Sequence, residues 1–383
     1  MMNPLMMTPL GKPVCLASCL PNLNSPTPDI HLGDVQQREN DALAAHNQTP
    51  QDTWTPGPQG LLLEANKPDA TMAVIDTFGI GPDLRVDHGE ITSALAMQAS
   101  GLGESNLLRV DTGGLPQKPV TGQNFGEGLD HFIENRYAGF THSTTLALQQ
   151  IHDNYPQINT ISQSQGVSGP RLTNDVAQIA LSDPRFALQL GQELGHPGPV
   201  DWTKPDPQRL IAERVQDTLA ASPLVATELT SLREELASHP EVAYFNSAGN
   251  DGRTQDLLSQ AGFQFDPAWN GNPQSNSPLT QSVAAALPVG PGAIPTPYSQ
   301  RTDNSIAFDG MARVTVDGQP LCESTSPRPA PLRPWCAPLQ GTSFAAPLAA
   351  GSYNADPQAY QHLRLQALPA MPGVNSLGTG LLH

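Results

Sequence analysis

Basic residues are scarce in this chain. Its 19 Lys and Arg stand against 36 Asp and Glu, a formal net charge of −17 over 383 residues. That balance argues against a nucleic-acid partner, because phosphate contacts need clustered Lys and Arg. Hydrophobic residues are also sparse at 38%, and charged residues reach only 14%, so the core is expected in a few concentrated segments. No apolar run approaches the roughly 18 residues of a membrane span, and no transmembrane segment is expected. Cysteine is limited to Cys15, Cys19, Cys322 and Cys336. A Cys322–Cys336 disulfide would close a local loop, and free thiols are the alternative, so the redox compartment stays open. Proline and glycine are plentiful, 39 and 33 residues, and imply a large share of loop, turn and tail.

Residues 1–68 are dense in Pro, Asn, Gln and Asp without a sustained period of 2 or 3.6, and read as a poorly ordered tail. Leu16-Ala17-Ser18-Cys19 is similar to a lipoprotein cleavage box. Pro4, Pro9, Lys12 and Pro13 interrupt the apolar segment that should precede it. Order is expected from Thr71-Met72-Ala73-Val74-Ile75, a buried parallel strand ending in Asp76. Further strands are expected at 106–110, 157–162, 241–245, 282–287 and 312–316. Helices are expected from His88, over about 128–155 with a break near Gly139, and within 171–239. Strands alternating with helices predict an α/β fold with a mostly parallel sheet flanked by helices. Ligands of such sheets bind at the carboxyl ends of the strands.

Four residues stand where such a crevice would form. Gly341-Thr342-Ser343 leads into a run of small helix-forming residues, which puts Ser343 in a helix's first turn. There it is either a nucleophile beside free N–H groups or an ordinary cap. Asp76 ends a strand and is either an orienting carboxylate or a turn residue. His88 opens a helix and is either a base or an unremarkable loop histidine. Asn250 follows Gly249 and is either an oxyanion donor or a left-handed turn residue.

Taken in order, these four residues and their neighbours resemble the subtilisin-like serine proteases. Val74-Ile75-Asp76-Thr77 looks like that family's aspartate motif, and His88-Gly89 with Ala94 is similar to its histidine motif. Ser247-Ala248-Gly249-Asn250 resembles the asparagine motif, and Gly341-Thr342-Ser343-Phe344-Ala345-Ala346-Pro347 the serine motif. The resemblance covers about residues 70–352. It implies a subtilisin-like three-layer α/β fold and a peptidase domain over 69–365. His88 and Asn250 lie 162 residues apart (250 − 88), more than the family needs, so a helical insertion is expected at about 167–239, with a tail over 366–383. By resemblance, Ser343 is the nucleophile, His88 the base, Asp76 its orienting carboxylate and Asn250 the oxyanion donor. Ser162, Gln163, Ser164 and Gly166 would bind substrate through a strand edge.

The implied activity is hydrolysis of peptide bonds in a polypeptide substrate through an acyl-enzyme, with no cofactor and no metal. The alternative is a degenerate relative that binds peptides or partners without turnover. Secretion or the cell envelope is favoured only through the family. The chief departure from the family is that Asp76 and His88 lie only 12 residues apart (88 − 76).

Overall fold

The computed structural model describes residues 27–46, 54–56, 61–78, 80–81, 85–112, 124–289, 292–300, 305–321, 339–366 and 380–381. Cys322, Cys336 and the segment around Cys19 lie outside them. Among the described residues the central sheet contains ten strands. They are β1 (Trp54–Pro56), β2 (Leu62–Glu64), β3 (Met72–Asp76), β4 (Leu107–Asp111), β5 (Thr160–Gln163), β6 (Ala243–Ser247), β7 (Thr280–Val289), β8 (Gly292–Pro295), β9 (Ser305–Asp309) and β10 (Gly380–Leu381). The spatial order is β10-β9-β7-β6-β5-β3-β4-β2-β1, with β8 folded back on β7. From β10 to β4 every neighbouring pair is parallel, whereas β1, β2 and β8 pair antiparallel. The fold is therefore mixed α/β around a seven-stranded parallel sheet.

The helices are α1 (Leu32–His46), α2 (His88–Ser100), α3 (Phe125–Asn154), α4 (Gly169–Ser182), α5 (Pro184–Glu193), α6 (Pro205–Ala221), α7 (Pro223–Ser238), α8 (Gly252–Gln260), α9 (Pro267–Asn270), α10 (Thr342–Ala355) and α11 (Pro357–Gln366). None of the described helices is long and apolar enough to cross a membrane.

Side-chain alternation assigns the layers. Met72 and Val74 of β3 join α2 and α10 in one core, while Ala73 and Ile75 join α3 and α7 in another. All four are fully buried, the pattern of a strand covered on both faces. The chain leaves β3 for β4 on one side through α2 and returns to β5 on the other through α3. Right-handed crossovers in opposite directions put those two helices on opposite faces. The reversal makes the carboxyl end of β3 a topological switch point, where a crevice opens.

Packing explains the departures from expectation. α3 is one helix of 30 residues, about 45 Å long. No atom crowds Gly139, and buried Ala138 and Phe140 anchor the helix on either side, which outweighs the roughly 1 kcal/mol helical cost of glycine. The first half of α3 shares a separate core with α4, α5, α6 and the start of α7, while its second half packs on the sheet. The expected strand at 312–316 is split into two-residue pieces outside the central sheet: Met311–Ala312 pairs with 339–340, and Thr315–Val316 with 29–30. The strand that enters the sheet is the earlier β9. Part of the expected tail is helical, since α1 is fixed by a polar anchor that hydrophobic periodicity does not reveal. Arg38 Nη2 donates to buried Glu90 at 2.6 Å. Glu90 also faces Arg109, which is 1% exposed and paired with Glu64 and Glu104.

Candidate active site

Asp76 is the last residue of β3 and is fully buried. A desolvated carboxylate is tolerated only when its oxygens are paired. Thr77 N donates to Oδ1 at 2.9 Å, Thr92 Oγ1 donates to Oδ2 at 3.0 Å, and His88 Nδ1 lies 2.8 Å from Oδ2. Thr92 stands four residues beyond His88, one turn along α2, so both reach the same oxygen. The 12-residue step between Asp76 and His88 is taken up by a small antiparallel hairpin in which Ile80 pairs with Val86 and Gly81 with Arg85. Its far end is closed by Gly89 N donating to Thr77 O at 2.8 Å.

Burial works against protonation of His88. The charge of Asp76 and its hydrogen bond outweigh that cost, with Asp87 adding to them, so the imidazole sits above its ordinary value of 6.5. The side chain remains 35% exposed, leaving one edge of the ring open to a ligand. The Phe344 ring lies beside it, with centroids 5.4 Å apart.

α10 supplies Ser343 at its second position, after Gly341. The helix lies close against α2. A Cβ at Gly351 would come within 2.5 Å of Ala96 O and 2.8 Å of the Ala99 side chain, so only glycine permits this approach. In the first turn the N–H groups have no i−4 carbonyl, and Ser343 keeps a free donor direction. Pro347 lies inside the same helix. Having no N–H, it cannot bond the carbonyl four residues back, which belongs to Ser343. Ser164 Oγ donates to that carbonyl instead, at 2.8 Å. The Ser164 carbonyl in turn accepts from Ser247 Oγ at 2.9 Å. These two bonds tie the serine turn to the ends of β5 and β6.

Asn250 is oriented by the neighbour of Ser343. Its Oδ1 accepts from Thr342 N at 2.8 Å and from Thr342 Oγ1 at 3.0 Å, which leaves Nδ2 directed elsewhere. A Cβ placed on Gly341 would lie 2.8 Å from Ser343 Oγ and 3.4 Å from Asn250 Nδ2. Hydroxyl and amide therefore flank one small space. Asp76, His88, Asn250 and Ser343 belong to the ends of β3 and β6 and to the starts of α2 and α10. All lie at the carboxyl pole of the sheet.

Ser162 and Gln163 do not offer a strand edge. They lie in β5, fully buried and paired with β3 on one side and β6 on the other, so no backbone group is left for an added strand. Ser164 is buried and committed to the serine turn. Gly166, beside Gln165, is half-buried in the irregular stretch after β5 and packs against Asn272. Thr92 lies outside the sequence motifs, and Thr342 and Ser247 stand inside them without a role assigned from sequence. The signal for Thr92 was its one-turn spacing from His88, whereas the partners of Thr342 and Ser247 are distant in the chain.

Among solved structures, the chain is similar to the prenylagaramide maturation protease PagA at 15% identity and a TM-score of 0.40, over 82% of this chain and 91% of that one. No family model matches the sequence, and no curated protein matches it.

Proposed function

We propose that this chain is a serine endopeptidase of the subtilisin-like type, in which Asp76, His88 and Ser343 form the triad. One observation carries the reading. A fully buried carboxylate holds an imidazole at 2.8 Å, at the same sheet pole as a serine in the first turn of a helix. Asp76 fixes the tautomer that carries a proton on Nδ1 and leaves Nε2 as the basic nitrogen. His88 takes the hydroxyl proton as Ser343 Oγ bonds to the scissile carbonyl carbon, and later returns it to the leaving amine. Asn250 Nδ2 and the Ser343 N–H donate to the oxyanion. With Ser162 and Gln163 inside the sheet, an extended peptide would lie along Gln165 and Gly166 instead.

Labelling with a fluorophosphonate tests this directly. The wild-type chain should become covalently modified at Ser343, while Ser343→Ala should not and His88→Ala should label far more slowly. Labelling retained by Ser343→Ala would remove the nucleophile assignment. A folded wild type that does not label would point to a peptide-binding protein without turnover.

A further inference from the structure

At the opposite pole of the sheet, α3 and α7 run side by side into the adjacent strands β5 and β6. His152 lies in the last turn of α3, Glu235 in the last turn of α7, and His239 caps α7. His152 Nδ1 is 2.7 Å from Glu235 Oε1, and His239 Nε2 is 4.0 Å from the same oxygen. One ligand atom from each residue falls within 4.8 Å of the others. The two imidazoles lie close and tilted, with centroids 3.7 Å apart and planes inclined by 36°. We infer that His152, Glu235 and His239 form a binding site for a divalent transition-metal ion of the zinc class.

Two imidazoles and one carboxylate form a donor set suited to zinc and its neighbours, whereas calcium and magnesium take oxygen ligands. The His152 side chain is only 7% exposed. Its Nε2 has no hydrogen-bond partner among the described residues, so the ring is not committed to a hydrogen bond on both sides. His239 Nδ1 lies 3.3 Å from Glu241 Oε1, the carboxylate–histidine arrangement that orients a ligating ring from behind. The carboxyl ends of two helices meet here, and both dipoles favour a cation. His239 is 34% exposed, which gives an ion a route in and leaves a position for water. The ion would clamp α7 to α3 and would stand apart from Ser343, so its effect is on stability and not on the proposed hydrolysis.

The test uses the untagged full-length chain carrying Ser343→Ala, which keeps the result independent of any peptidase activity. Cobalt(II) titration should give one equivalent bound, with the intense visible bands of a four-coordinate ion, and zinc should displace it. Zinc at about a hundred times its dissociation constant should raise the melting temperature by roughly 3 °C. His152→Ala and His239→Ala should each weaken binding at least tenfold, as should the milder His239→Gln, while His131→Ala at an exposed site should not. Absence of binding by the parent chain, or equal binding by the His152 and His239 variants, would overturn the inference.

Discussion

The carbonyl of Ser343 offers a quantitative probe of how the serine turn is held. Pro347 removes its helical donor and Ser164 Oγ replaces that donor at 2.8 Å. Both Ser164 and Ser343 are 6% exposed, so Ser164→Ala leaves a carbonyl with little access to water. A buried polar group without its partner costs about 1–3 kcal/mol, and the substitution should destabilise the fold by that amount. Pro347→Ala restores a main-chain N–H at position 347, which can reach the same carbonyl. In that background Ser164→Ala should cost less than half as much, a coupling of about 1 kcal/mol between two residues 183 positions apart (347 − 164). Urea unfolding followed by circular dichroism measures the four members of the cycle. Ser343→Ala is carried throughout to exclude self-cleavage and leaves the carbonyl untouched. Equal costs of Ser164→Ala in the two backgrounds would show that the hydroxyl does not substitute for the missing helical bond.

Further outcomes concern Asn250 and His88. Asn250→Asp keeps an acceptor for Thr342 N and loses the amide donor, so hydrolysis of a chromogenic peptide amide should fall by about 10²–10³. Asn250→Ala loses both functions and should also be less stable than Asn250→Asp by about 1 kcal/mol, as read by chemical denaturation. The acid limb of kcat/KM should lie above pH 6.5, because Asp76 raises His88 and only the neutral ring accepts a proton. A group raised on folding stabilises most below its unfolded value. The stability His88 contributes should therefore be present at pH 6 and fade as the pH climbs past its folded value. An acid limb at or below 6.5 would contradict the assigned base.

Much of this was legible along the chain because the informative signals are local. β3, β4 and α2 follow from short apolar runs and a helix-opening histidine, and the serine turn from a glycine before two hydroxyl residues. What was missed depends on distant partners. α1 sends Val35 into the core, but the ion pair that anchors it spans 52 positions, Arg38 to Glu90. Ser162 and Gln163 read as a polar strand end, yet strands from both directions in sequence enclose them. His152 lies 83 residues from Glu235, a separation no ligand-spacing rule detects. The single helix across Gly139 was obscured for the converse reason, since tertiary contacts on both sides outweigh one local propensity.

The placement of α10 also bears on how the protein comes into being. Asp76 and His88 meet early in synthesis, but the bond from Ser164 to the Ser343 carbonyl spans 179 positions and that from Thr342 to Asn250 spans 92. Contacts of such separation form late and slowly. α10 also fills the middle of the core between α2 and the sheet. A growing chain therefore carries an exposed apolar face on α2 and β3 until α10 leaves the ribosome, the kind of surface that promotes association of unfinished chains. The same delay keeps Ser343 from Ser164 and from the Asn250 turn until the last of the sheet helices is in place.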